Sequence, residues 1–142
     1  MNDVVRVTRV LKAAPQEVFD AWTDTHQLRQ WLCPDPGEVG EVWCDPVVGG
    51  GYRLVMLFEH GAFVTSGEYL TVDPPHRLVF TWLADSTAGR PTQVTVTLRP
   101  EGDTTEMTIT HERIPSREFG ESAGSAWVNV LDKLDGVLAD RR

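Results

Sequence analysis

The sequence predicts an α+β fold in which one antiparallel sheet of about seven strands is covered by a single long C-terminal helix. Between Glu41 and Glu112, short runs of alternating apolar and polar residues are separated by turn residues, which is typical of strands. From Ala126 to Leu138 the apolar residues instead recur at helical spacing along one stripe. A helix about 10 Å wide cannot cover a sheet roughly 30 Å across, so we expect a gap beside the helix, where a functional site would lie.

Composition and charge argue against several classes of protein. The 142 residues suit one domain, placed at 1–142, and 41% hydrophobic residues suffice for a core without disulfides or metal. The net charge of −8, without a basic cluster, argues against nucleic-acid binding. No apolar run approaches the roughly 18 residues of a membrane-spanning helix, and the opening MNDVVRVTRV does not have the pattern of a signal peptide. We therefore expect a cytoplasmic protein that does not insert into membranes.

The first part of the chain predicts one strand and two short helices. Residues 3–12 are rich in valine and predict the strand. Pro15 suits the first turn of the next helix, and Glu17 favours its positively polarised end. Thr25 is in position to cap a second helix that runs to about Leu32, after which prolines follow.

Six further strands follow, and the short turns between the later ones predict an antiparallel meander. On the last of them Met107, Ile109 and His111 alternate with polar residues and are expected to face the core. A loop from Ile114 to about Phe119 is expected to lead into the final helix. The predicted strands cover residues 39–46, 52–59, 63–72, 77–84, 94–99 and 107–112.

Several short sequence phrases follow one another through nearly the whole chain. They are APQEVFDAWTD from Ala14, LRQW from Leu28, VGGGYR from Val48, GEY from Gly67, DPPHRLVFT from Asp73, TTEMTITH from Thr104, and the final helix around Trp127. In this order they resemble the START-like, or SRPBCC, superfamily. The phrases are most similar to the branch related to the C-terminal domain of the activator of the 90-kilodalton heat-shock protein ATPase. One departure is Ala126, where that family usually has glycine.

The resemblance implies a helix-grip fold, in which a curved sheet wraps around the C-terminal helix and leaves a cavity for small apolar or amphipathic molecules. It implies no particular chemistry, because the superfamily includes lipid carriers, hormone receptors and aromatase/cyclases. Binding of a small hydrophobic or amphipathic molecule, without catalysis, is our leading hypothesis. Two alternatives are a polyketide aromatase/cyclase-like enzyme and a chaperone ATPase activator-like protein-interaction module. A homodimer is compatible with all three.

Nine side chains are candidates for contact with such a ligand because they are expected to face the gap between helix and sheet. His111 and Tyr52 are the candidate polar anchors. Aromatic rings can stack on planar ligands, and methionines adapt to several shapes. The same side chains can equally form an ordinary core, and both interpretations stay open. The expected apolar lining is Trp31, Met56, Phe80, Trp82, Met107, Trp127 and Leu131.

His111 is also the candidate for catalysis, and three roles stay open for it. It can bond a ligand, act as a general acid or base, or bond a nearby loop carbonyl or water. No pair of histidines has the spacing of metal ligands, and Cys33 and Cys44 fit either reduced thiols or one disulfide. We expect neither a metal nor a cofactor. The other histidines are predicted to be exposed: His26, His60 and His76.

Overall fold

The chain folds into seven strands and three α-helices within the part that the structure describes, residues 4–87 and 89–140 of a computed structural model. The predicted first strand starts at Asp3, which lies outside the described residues. The predicted α+β class is confirmed. In chain order the elements are β1 Val5–Leu11, α1 Pro15–Thr23, α2 Thr25–Trp31, β2 Glu38–Cys44, β3 Gly51–Phe58, β4 Gly61–Asp73, β5 Arg77–Ala84, β6 Thr92–Glu101, β7 Thr104–Glu112 and α3 Arg117–Ala139.

The described strands form one antiparallel sheet in the order β1-β7-β6-β5-β4-β3-β2. From β2 to β7 each strand pairs with the next along the chain, as the short turns predict. β1 lies at the other end of the sheet and pairs with β7, with Val5 opposite His111 and Leu11 opposite Thr105. The sheet curls around α3, so the predicted helix-grip fold is confirmed.

Strand alternation decides which side chains face α3. Along β7, Thr105, Met107, Ile109 and His111 are buried, and the residues between them are partly exposed. This is the predicted inner face. The register of β2 on β3 shifts between Val39 and Glu41, which forms a bulge.

A carboxylate accepts a backbone hydrogen bond at the start of each of the two short helices. In α1, Pro15 occupies the first turn, and the Glu17 carboxylate accepts a hydrogen bond from the Ala14 N–H at 3.4 Å. The predicted cap of α2 at Thr25 is wrong. Asp24 caps this helix, because its carboxylate accepts from the His26 N–H at 3.1 Å, whereas the Thr25 hydroxyl accepts from the Cys44 N–H on β2.

The C-terminal helix is longer than predicted at its start. Ser116 caps α3 by accepting a hydrogen bond from the Phe119 N–H at 3.1 Å, so the helix begins at Arg117. The predicted loop to Phe119 is therefore too long by about one turn. The early turns of α3 carry small and polar residues, which give little hydrophobic periodicity. No helix in the described segments is long and apolar enough to cross a membrane.

The core lies between the sheet and all three helices. α1 and α2 occupy the space between β1 and β2 in the chain and bury Phe19, Trp22, Leu28 and Trp31. Trp22 and Trp31 meet edge to face, with ring centroids 4.7 Å apart. The buried residues of α3 complete the core: Trp127, Val130, Leu131, Leu134 and Leu138.

Candidate functional site

A cavity of about 660 Å³ lies between the first half of α3 and the inner face of the sheet. Its rim includes exposed residues, such as Glu118 and Ser122, so it opens to solvent. The sheet side consists of Met56, Phe58, Phe63, Thr65, Trp82, Ala84 and His111. The helix side consists of Phe119, Ser122, Ala123, Ala126, Trp127 and Val130, and the rest of the rim comes from Leu32, Pro34, Ser116 and Glu118.

The cavity exists because the helix above it carries small side chains. Ser122, Ala123 and Ala126 face it, where a leucine or phenylalanine would fill the space. The sheet below is wide, and α2 reaches only the rim, through Leu32 at its end. The predicted gap beside the helix is therefore present.

Aromatic rings form two clusters in the lining of the cavity. Phe58 and Phe63, on the β3–β4 hairpin, meet edge to face with centroids 5.5 Å apart. Trp82 and Trp127 lie 5.6 Å apart, and the Phe119 ring lies 5.5 Å from that of His111. Phe63 is 58% exposed although it faces the cavity. A planar apolar molecule would cover part of this exposed aromatic surface.

His111 is 1% exposed, and both of its ring nitrogens have partners. The Trp127 indole N–H donates to Nδ1 at 3.1 Å, and Nε2 lies 2.7 Å from the Thr92 hydroxyl oxygen. The Thr92 hydroxyl in turn donates to the Trp82 carbonyl at 2.9 Å. Because Nδ1 must accept, the neutral tautomer carries its hydrogen on Nε2. Nε2 then donates to the Thr92 hydroxyl, so every group in this series of hydrogen bonds has a partner. His111 thus ties α3 to β5, β6 and β7.

Burial lowers the pKa of His111 to about 4 from its ordinary value of 6.5. The physical cause is desolvation, which penalises the charged imidazolium. Protonation at Nδ1 would also break the hydrogen bond from Trp127. Near neutral pH the ring is uncharged and serves as a structural link at the cavity wall.

The nine predicted site residues divide into two groups. Four of them line the cavity: Met56, Trp82, His111 and Trp127. Five lie outside it: Trp31, Tyr52, Phe80, Met107 and Leu131. Trp31, Met107 and Leu131 are 0% exposed. The Trp31 indole donates to the Ala21 carbonyl, and the Trp22 indole N–H contacts the Met107 sulfur at 3.3 Å.

Tyr52, one of the two predicted polar anchors, lies elsewhere in the core. Its hydroxyl donates to the Thr81 carbonyl, and burial raises its pKa. Tyr52 and Phe80 border a separate void of about 20 Å³, which is about the size of one water molecule. Tyr52 therefore does not face the cavity as an anchor.

Several lining residues were missed at the start of α3 and on the β3–β4 hairpin. Phe119, Ser122 and Ala123 continue upstream the helical stripe that begins at Ala126, at the same spacing as Trp127 and Val130. Only a helical spacing that includes small residues indicates them, because Ser122 and Ala123 add little hydrophobicity to the stripe. Phe58 and Phe63 flank the hairpin turn on the face shared with Met56, which strand parity indicates.

The described residues hold no cluster of side chains suited to a metal ion. Cys33 and Cys44 are free thiols and do not form the disulfide that was the other predicted alternative. The remaining three histidines are exposed, as predicted: His26, His60 and His76.

Comparison with known proteins gives one family and one fold. The family model described as "Activator of Hsp90 ATPase homolog 1-like protein" matches residues 12–139. Protein CV1439 from Chromobacterium violaceum is 28% identical, with a TM-score of 0.88 over 95% of this chain and 96% of that one. The AHSA1 protein SPO3351 from Silicibacter pomeroyi is 24% identical, with a TM-score of 0.86 over 99% and 100% of the two chains.

A structure of a protein of unknown function, SA2116 from Staphylococcus aureus, is 19% identical and has a TM-score of 0.85 over 99% of this chain and 96% of that one. The two structures under 25% identity show the fold alone. No functionally curated protein matches the chain.

Proposed function

The chain belongs to the Activator of Hsp90 ATPase homolog 1-like family, and we propose that its helix-grip domain binds a small, mostly apolar aromatic molecule in the cavity under α3. The cavity itself carries this proposal. Its volume of about 660 Å³ falls in the range of small-molecule sites, and its walls are rich in aromatic rings with few polar groups. The free thiols of Cys33 and Cys44 support a reducing compartment such as the cytoplasm.

The geometry of the cavity favours binding over catalysis. His111 is the one histidine at the cavity among the described residues, and Trp127 and Thr92 occupy both of its nitrogens. The carboxylate at the rim, on Glu118, is exposed, and apart from His111 the described lining residues offer it no acid or base as a partner. An aromatase/cyclase-like reaction would need a proton donor or acceptor free to reach the substrate.

Ligand screening with a blocked variant tests the proposal. Aromatic polyketides, fatty acids and sterols would be screened by thermal shift and by quenching of Trp82 and Trp127 fluorescence. A ligand at about a hundred times its Kd adds about 2.7 kcal/mol, which corresponds to a rise in Tm of roughly 10 °C for a domain of this size. Ala126→Trp places an indole in the cavity and should abolish both responses.

Ser125→Trp is the matched control, because Ser125 is the exposed neighbour of Ala126 on α3 and does not line the cavity. It should bind as the wild type does. Equal binding by the Ala126→Trp variant would refute the proposed site. The chaperone-activator alternative predicts stimulation of a heat-shock chaperone ATPase, and stimulation that is equal in both variants, with no ligand found, would favour that function.

A further inference from the structure

Thr65, on the floor of the cavity, differs from the other deeply buried threonines. Thr87, Thr92 and Thr105 are 0 to 1% exposed, and each donates a hydrogen bond to a backbone carbonyl at 2.7 to 2.9 Å. Thr65 is 1% exposed, yet its hydroxyl has no hydrogen-bond partner among the described residues.

The hydroxyl of Thr65 keeps access to the cavity. In the described part of the chain, every side-chain nitrogen or oxygen that is sealed from solvent has a hydrogen-bond partner. The unpartnered Thr65 hydroxyl is therefore not sealed, and the space that Thr65 borders is the cavity. A ligand that covers this hydroxyl must bond to it, because burying a polar group without a partner is costly.

Trp82 offers a second free donor close to Thr65. Trp22, Trp31 and Trp127 each donate their indole N–H to a partner, whereas that of Trp82 has no hydrogen-bond partner among the described residues. Thr65 pairs with Ala84 across β4 and β5, and Trp82 lies two residues away on the same inner face. Such diagonal neighbours lie about 7–8 Å apart along the sheet, and both side chains line the cavity, so one small molecule can contact both residues.

The charges around the cavity restrict what it can hold. Among the described residues that line it, Glu118 is the one charged side chain, and it lies exposed at the rim. No lysine or arginine is present there to balance a buried anion, and burying an unpaired charge is strongly unfavourable. The floor therefore suits an uncharged molecule that carries a hydrogen-bonding oxygen.

We propose that Thr65 is the polar anchor of the cavity and that it selects uncharged aromatic molecules bearing a hydroxyl or carbonyl oxygen. This inference rests on the proposed function and adds its ligand class. Thr65 would accept from a ligand hydroxyl or donate to a ligand carbonyl, and the Trp82 N–H would donate to the same oxygen or to a second one.

Three fluorenes that differ in one substituent at the same ring position test the proposal. The hydroxy, methyl and carboxy compounds would be titrated into the protein, with tryptophan quenching as the readout. We expect the hydroxy compound to bind about fivefold to tenfold more tightly than the methyl compound, which is the effect of one neutral hydrogen bond. The carboxylate should bind more weakly than either.

Thr65→Val removes the hydroxyl at nearly constant shape and should abolish the preference for the hydroxy compound while leaving methyl binding within about twofold. Thr65→Ser keeps the hydroxyl and should retain the preference. Thr97→Val is the control, because Thr97 is exposed on β6 away from the cavity. The role of Thr65 would be overturned if the wild type bound the hydroxy and methyl compounds equally, or if the preference survived in Thr65→Val. In either case the proposed function of the cavity would still stand. If none of the three compounds binds, the proposed function itself fails.

Discussion

The two halves of α3 cover the same sheet but lie over different interiors. In the closed half, the side chains of Leu131, Leu134 and Leu138 are 0 to 1% exposed and belong to the continuous core that α1 and α2 complete. The open half, with Phe119 and Ala126, lies over the cavity. One helix thus serves as core over part of its length and as the wall of a site over the rest.

Polar contacts divide α3 in the same way. In the closed half, the Lys133 ammonium donates to the Cys33 carbonyl at 2.8 Å, and Asp132 pairs with Arg9 of β1. Trp127, bonded to His111, marks the boundary. The cavity therefore does not depend on an unusual residue: it remains where the two short helices do not reach and where α3 carries small side chains.

Truncating one side chain in each half should give the largest difference in the free energy of unfolding. Leu134→Ala is expected to destabilise the protein by about 3 kcal/mol, because it leaves a void in a packed core. Phe119→Ala removes a larger side chain but should cost only about 1 kcal/mol, since Phe119 is partly exposed and already borders a cavity. Urea unfolding of both variants measures the difference, and equal losses would show that the two halves are packed alike.

The boundary between the halves should be sensitive to acid through His111. The unfolded chain binds a proton near pH 6.5, whereas the folded chain resists protonation down to about pH 4. Stability should therefore fall as the pH falls through this window, by roughly 3 kcal/mol from this group, with no further loss below it. The His111→Gln variant lacks this titration and should not lose that stability. Its free energy of unfolding relative to the wild type should therefore rise by roughly 3 kcal/mol as the pH falls from 6.5 to 4. Parallel urea curves at several pH values test this, and a constant difference would contradict it.

The smallest expected effect concerns the ion pair between Arg9 and Asp132 in the closed half. The Asp132 side chain is 65% exposed, so solvent and salt screen the pair. Asp132→Ala should lower the free energy of unfolding by about 0.5 kcal/mol at low salt and by less in high salt. A loss that is above about 1.5 kcal/mol and independent of salt would mean that this contact, and not core packing, secures the closed half.

Much of the fold could be predicted from the sequence because strand alternation and helical spacing are local patterns. The inner face of β7, with Met107 and His111, and the stripe ending at Leu138 follow directly from them. The start of α3 could not be found in this way, since its early turns carry small residues and little periodicity. Asp24 and Thr25 are both suitable capping residues, so the sequence alone does not decide which of them caps α2.

The candidate site was harder to predict than the fold. Alternation indicates that a side chain faces inward, but not whether it meets another side chain or an empty space. Trp82 and Trp127 face the cavity, whereas Trp31 and Met107 meet α1. That distinction depends on where the short helices pack, which is a property of the assembled layers. Thr65 had no sequence signal, because alternating threonines are ordinary in strands.

The bulge in β2 has a consequence for how copies of this chain meet one another. β2 is the last strand of the sheet, so its outer edge carries backbone groups that another strand could pair with. The shift between Val39 and Glu41 interrupts that edge, and the exposed carboxylates of Glu38 and Glu41 lie along it. On a chain with a net charge of −8, a second copy would meet both an irregular ladder and like charge. We expect this edge of the sheet to resist strand-to-strand aggregation between copies of the chain.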